Sequence, residues 1–319
     1  MSKDVISKSN ICWLIVIAVV WLGLSLLMQF GIINAFYEIT LYNILINIIL
    51  AVSLNLIIGI CGQFSLGHAG FMCIGAYSAG VITKMMPNYA GLTLGILAGF
   101  AISAVAALIV SLPTMRLKGD YLAITTLGFS EIIRIIVQNM KITNGNAGLS
   151  GIPKLTSFPL LMVAVIVCLI ICSNFIHSAP GRACIAVRED EIAAEAMGVN
   201  TTRYKVLAFV IGALMASLAG ALFACNFYVI KPTQFSFNKS IDILVMVVFG
   251  GMGSTTSSVF AAVVIGILNM FLSNLTDLRM IIYGALLVVM MIFKPGGIIG
   301  DREFSMKRLL ERKSSKEAS

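Results

Sequence analysis

Apolar runs of about 20 residues recur along this chain between short polar breaks, and that repeat limits the possible folds before any single residue does. A helix rising about 1.5 Å per residue needs about 20 residues to cross the ~30 Å hydrocarbon layer of a bilayer. Inside that layer each backbone N–H and C=O must find its partner within the protein, which leaves only helices or a closed barrel. The chain has no alternating pattern of the barrel kind, so the expectation is an all-α, polytopic membrane helix bundle. A charged fraction of 11% and a mean hydropathy of +1.00 fit that class.

Ten segments qualify as spans: 11–33, 41–60, 67–85, 91–112, 121–139, 158–176, 204–228, 241–250, 256–273 and 279–293, the eighth being short for a full crossing. The apolar run 11–33 is too long for a signal-peptide core and lacks a small-residue cleavage site, so it reads as a retained first span. An even number of spans puts both termini on one side. With the N-terminus inside, 15 of the 22 Lys and Arg residues fall on the inner side, six fall outside, and Arg134 stays within a span. Basic residues collect on the cytoplasmic face, which predicts an N-in, C-in topology. Residues 1–300 then form one transmembrane domain and 301–319 a charged cytoplasmic tail. The net charge of +8 follows from this loop bias and does not call for nucleic acid.

Two regions interrupt the apolar pattern. Gly59, Gly62, Gly67 and Gly70 break the second-to-third span region, and Gly250, Gly251 and Gly253 break the eighth-to-ninth. Paired glycine-broken segments in the two halves of a transporter point to discontinuous helices at a central pathway, with Gly62, Ser65, His68, Gly250, Gly251 and Gly253 as its candidate lining. The competing explanation is close helix packing through small residues, which suits Gly91, Gly95 and Gly99 at four-residue spacing. His68 has two readings, as a polar group in the pathway or as a partner for a backbone carbonyl freed by the break. Glu131 and Arg134 share one face of the fifth span and can neutralise each other there, either contacting substrate or holding helices in register. Asp242 could face a substrate amine or cap the start of the eighth span.

The polar stretch 181–198, GRACIAVREDEIAAEAMG, is the anomaly in this apolar chain. Asp190 can cap a short helix, Glu191 suits its positive end, and Gly198 can end it in the left-handed region. Ile192, Ala193, Ala196 and Met197 would form an apolar stripe. The polar face is mixed and mostly acidic, unlike the Lys- and Arg-rich face of a helix held on lipid. A protein partner is therefore expected at Arg188, Glu189, Asp190, Glu191, Glu195 and Gly198.

The chain has no GxxxxGK[ST] loop to cradle phosphates, no HExxH and no GxSxG elbow. Its two histidines and seven cysteines have no catalytic or metal-ligand spacing. No catalytic residue, metal or cofactor is assigned, and ATP would have to be bound by partner subunits. An ion-coupled secondary transporter is the alternative class, although Glu131 is the only clear carboxylate deep in a span and an arginine lies beside it.

Several motifs in order resemble one family. GRACIAVREDEIAAEAMGVNTTRYKVLAF resembles the coupling loop of LivM (BraE)-type permeases, the membrane subunits of branched-chain amino-acid ABC importers. LNLIIGICGQFSLGHAGFMCIGAYSAG, LPTMRLKGDYLAITTLGFSEIIR, NGNAGLSGIP, MVVFGGMGS and FKPGGIIG extend the similarity over residues 41–300. The resemblance implies a multi-pass permease of a prokaryotic cell membrane, importing leucine, isoleucine and valine. It also implies a LivH-type permease partner, two cytoplasmic ATP-binding subunits and an extracytoplasmic substrate-binding protein. Related permeases for urea, amides or other small solutes share this scaffold and stay open as alternatives.

Overall fold

A computed structural model of the chain describes residues 34–114 and 119–272, with Gly23, Ser25, Leu117 and scattered positions between 282 and 297. The expected spans 11–33 and 279–293 lie outside the described residues apart from those positions, and the tail 301–319 lies wholly outside. Helix α1, Ala35–Asn55, runs into a π-helical turn at Leu56–Ile60. It is followed by α2 His68–Met85, α3 Tyr89–Thr114, α4 Asp120–Asn139 and α5 Phe158–His177. Next come the short helices α6 Ala179–Glu189 and α7 Glu191–Ala196, then α8 Thr201–Ala224, α9 Phe237–Gly250 and α10 Thr255–Phe271. These bounds lie close to the spans expected between 41 and 273, because long apolar runs leave the backbone no other way to satisfy itself in hydrocarbon.

Among the described residues, α1 with its π-turn, α3, α5 and α8 are long and apolar enough to cross a membrane, and α10 is a shorter apolar helix. Their burial separates centre from periphery. The apolar window of α1 is 89% buried, whereas that of α3 is 28% buried. Helix α1 is thus the axis of the bundle, with α5, α8, α9 and α10 against it, while α3 turns side chains such as Leu97, Val105 and Ile109 outward.

Small residues set the tightest crossings. A Cβ added at Gly75 would lie 1.9 Å from the Ser217 carbonyl oxygen, and one at Gly220 would lie 1.9 Å from that of Met72. Only glycine lets α2 and α8 approach at these points, the usual device where lipid supplies no hydrophobic drive between helices. Gly95 meets the Ala79 backbone and Gly99 meets Gly75, whereas Gly91 packs against the nearby Met86 carbonyl.

The glycine-rich loop 142–153 forms turns and also carries a strand. Leu149–Ser150 pairs antiparallel with Val229–Ile230, Leu149 facing Ile230, which ties the α4–α5 connection to the α8–α9 connection. A strand of two residues is too short to leave a periodic signature in sequence.

Candidate functional site

The polar stretch folds as two helices rather than one. Ser178 caps α6 by accepting from the Gly181 N–H at 3.3 Å, and Gly181 itself packs against the Phe175 carbonyl. Gly181, Cys184 and Val187 lie on the buried side of α6. Asp190 then breaks the helix in extended conformation and caps α7, its Oδ1 accepting from the N–H groups of Ile192 at 2.9 Å and Ala193 at 3.0 Å. Gly198 follows with φ +82°, a conformation that costs an ordinary L-residue roughly 1–2 kcal/mol. The expected stripe on α7 faces away from the bundle: Ile192 is 75% exposed and Met197 84%, while Ala194 is buried. Glu195 is exposed beside them.

The charges around this stripe split into two sets. Glu191 forms an ion pair with Lys205 at 2.6 Å, holding α7 to the first turns of α8. Arg188 pairs with Glu189 at 2.6 Å and also turns inward, where its Nη1 donates to the Gly59 carbonyl at 2.5 Å. That carbonyl lies in the π-turn, whose wider winding alters the regular i→i−4 bonding of the helix. Gly62, at φ +72°, makes room for the arginine: a Cβ there would lie 2.9 Å from Arg188 Cγ.

The π-turn in turn closes on the second broken region. Asn55 accepts from the Gly253 N–H at 2.9 Å and donates to the Ser254 carbonyl at 3.1 Å. A Cβ at Gly59 would lie 2.3 Å from the Gly253 nitrogen. Gly250 packs equally tightly on the Ser257 backbone, and Gly251 on Gly297. Ser254 caps α10 through the Ser257 N–H at 3.4 Å, so the serine- and threonine-rich start of that helix coexists with close backbone packing. The two glycine breaks thus form one closed joint, and Arg188 reaches it from the polar island.

Ser65 and His68, which follow the π-turn in the chain, are both buried. The Ser65 hydroxyl accepts from the Gly67 N–H at 3.3 Å, and His68, buried as the first residue of α2, lies 2.6 Å from the Ser53 hydroxyl through Nε2. The histidine therefore bonds a side chain of α1 rather than a freed carbonyl. Glu131 and Arg134 form the expected pair at 2.6 Å. Glu131 also accepts from the Phe237 N–H at 3.1 Å, satisfying an orphan donor at the start of α9, while Arg134 donates to Gln138, which in turn donates to Asn146. Asp242 is not the cap of α9, because it lies past the first turn and Glu131 fills that role. Asn55, which links the two broken regions, is not marked by the apolar pattern or by the glycine breaks. An asparagine in an otherwise apolar run was its available signal, but its partners are almost 200 positions away.

These helices, tightly crossed through small residues, broken at two joined glycine regions and carrying a polar outward helix, define a multi-pass membrane protein of the permease kind. Residues 36–291 match the family model described as branched-chain amino acid transport system / permease component, and the chain belongs to that family. It is 36% identical to the high-affinity branched-chain amino acid transport system permease protein LivM of Salmonella typhimurium, over 80% of this chain and 68% of that protein. Identity to the LivM protein of Escherichia coli is 34% over the same shares. The LivH permease of Salmonella typhimurium is 25% identical over 80% of this chain and 91% of its own length. No solved structure matches the chain.

Proposed function

We propose that this chain is a permease subunit of an ATP-driven importer that carries branched-chain amino acids into a prokaryotic cell by alternating access. The proposal includes ten spans with both termini in the cytoplasm. It also includes a LivH-type permease partner, two ATP-binding subunits that dock on α7, and an extracytoplasmic binding protein that delivers substrate. Family membership and the LivM and LivH relatives support the substrate and the pairing.

The observation that carries the coupling role is the division of labour around α7. Ile192, Glu195 and Met197 face outward, while Arg188 ties the same segment to the Gly59 carbonyl inside the bundle. ATP can bias a two-state permease only through contacts that differ between the states, and this segment offers an outer surface for the partner and an inner handle on the closed joint. An ion-coupled mechanism has less support, because Glu131 is already paired with Arg134 and with a helix N-terminus.

The test uses the assembled complex in proteoliposomes. Glu195→Lys with Gly198→Val should lower both leucine uptake and substrate-stimulated ATP hydrolysis, and unchanged values for both would remove α7 from the coupling path. Competition of leucine uptake by isoleucine and valine, with none by urea, is the expected substrate pattern. Accumulation driven by an ion gradient without ATP would instead support the secondary-transport class.

A further inference from the structure

A cavity of about 330 Å³ opens between the outer turns of α1, the first turns of α9 and the last turns of α10, at the opposite end of α1 from the Arg188 joint. Its wall is chemically divided. Asn43, Asn47, Lys239, Asp242 and Asn269 form a polar side. Phe36, Ile39, Ile44, Met246 and Met270 are its large apolar members, with Thr40 and Gly266 completing the lining.

The polar side is built by helical spacing on three elements. Asn43 and Asn47 are four apart on α1, and Lys239 and Asp242 are three apart on α9, so each pair shares a face. Lys239 Nζ donates to Asn47 Oδ1 at 3.0 Å, joining the two helices across the cavity, and Asn47 is buried. Lys239 and Asp242 are both half-buried in the first two turns of α9, and ionisable groups set into a cavity wall of a membrane protein mark the route of a polar solute. A concave site with a few convergent polar groups on an apolar wall is also the general form of a small-molecule pocket.

We propose that this cavity is a transit site for a zwitterionic amino acid with an aliphatic side chain, an inference that rests on the transport role argued above. The Lys239 ammonium takes the substrate carboxylate, Asp242 takes the α-ammonium, and the asparagine amides complete the hydrogen bonding of both. The aliphatic side chain lies on Ile44, Met246 and their neighbours. Lys239 and Asp242 hold other interactions within the chain, so substrate exchanges with internal partners as it enters and leaves. That exchange suits transit, in which a site must bind without trapping. Gly266 shapes the wall: a Cβ there would lie 2.4 Å from Ile44 Cγ1, so any larger residue forces Ile44 to shift.

Two measurements test the site. In proteoliposomes holding the assembled complex, Lys239→Gln and Asp242→Asn should each cut leucine uptake about tenfold while ATP hydrolysis changes little, the loss of one charge-assisted contact. Lys239→Arg, which keeps the charge, should retain more uptake than Lys239→Gln. Wild-type uptake in both charge-removing variants would overturn the proposal. Independently, a Thr40→Cys variant of the complex, which places a thiol on the cavity wall without removing a proposed contact, is labelled with a maleimide, without binding protein. Millimolar leucine should slow that labelling, whereas 4-methylpentanoate, which lacks the amino group, and 3-methylbutylamine, which lacks the carboxylate, should not. Equal labelling with and without leucine overturns the site even if a charge variant fails to assemble. Failure of the wild-type complex to transport any amino acid would count against the transport role instead, while the labelling result still decides the site.

Discussion

The two ends of α1 are built for different tasks. At one end Asn43 and Asn47 face a cavity shared with α9 and α10, and at the other Asn55 stitches the π-turn to Gly253 and Ser254 with no room for even a methyl group at Gly59. The same residue type serves both ends, and its surroundings decide the outcome. Where neighbouring helices diverge, an asparagine lines a space that can hold a polar solute. Where two glycine-rich backbones touch, it becomes a clamp. Arg188 joins the polar helices to the clamp through its bond to the Gly59 carbonyl.

The contrast can be broken most severely at Gly59. Gly59→Val puts carbon onto the Gly253 backbone and the Asn55 side chain, and a rigid backbone collision of this kind costs about 3 kcal/mol or more. The expected result is poor recovery of the assembled complex and a lower thermal midpoint in detergent, with neither effect for Gly128→Ala, where no atom lies within 4 Å of the new methyl.

A smaller and more selective effect is expected at Arg188. Arg188→Ala removes the handle on the π-turn but leaves Ile192, Glu195 and Met197 in place for docking. Uptake per ATP hydrolysed should fall about tenfold, the loss of a coupling free energy near 1.4 kcal/mol. Parallel loss of both activities would make Arg188 a docking contact rather than a link.

Asn55→Ala removes two hydrogen bonds between the broken regions. Such bonds average about 0.6 kcal/mol each inside membranes, so the expected loss of stability is roughly 1 kcal/mol. Thermal unfolding of the complex measures it, and a change as large as that of Gly59→Val would mean that the clamp rather than the backbone contact holds the joint. Replacing Glu131 with Gln should have less effect still on uptake, because the amide oxygen can still accept from the Phe237 N–H. Loss of transport matching that of Arg188→Ala would place this carboxylate in the pathway.

The smallest signal is kinetic. Cys61 and Cys184 are buried neighbours joining the π-turn to α6. Maleimide labelling of both thiols should be slow in the wild-type complex and faster in Arg188→Ala, and mass spectrometry of the labelled peptides would resolve each one.

Local features were legible in sequence where their cause was local. The helices between 41 and 273 followed from the length of apolar runs, the Asp190 cap and the Gly198 terminus from short-range backbone chemistry, and the Glu131–Arg134 pair from three-residue spacing on one helix. The polar stretch was legible as a short capped helix only in outline. Its sequence did not reveal that Arg188 turns inward while Ile192 and Met197 turn outward, since both directions are compatible with one helical period.

The chain by itself determined a helical membrane bundle, because hydrocarbon admits no backbone group without a partner and apolar runs of this length have no other stable form. It also determined where helices could break, since glycine sets the permitted backbone. Only the tertiary structure decided that the two breaks meet, that Asn55 clamps them and that Lys239 reaches Asn47 over a cavity. Those contacts join residues almost 200 positions apart, and their geometry depends on how helices cross through Gly75, Gly220 and their neighbours, a property of surfaces packed together rather than of any one segment.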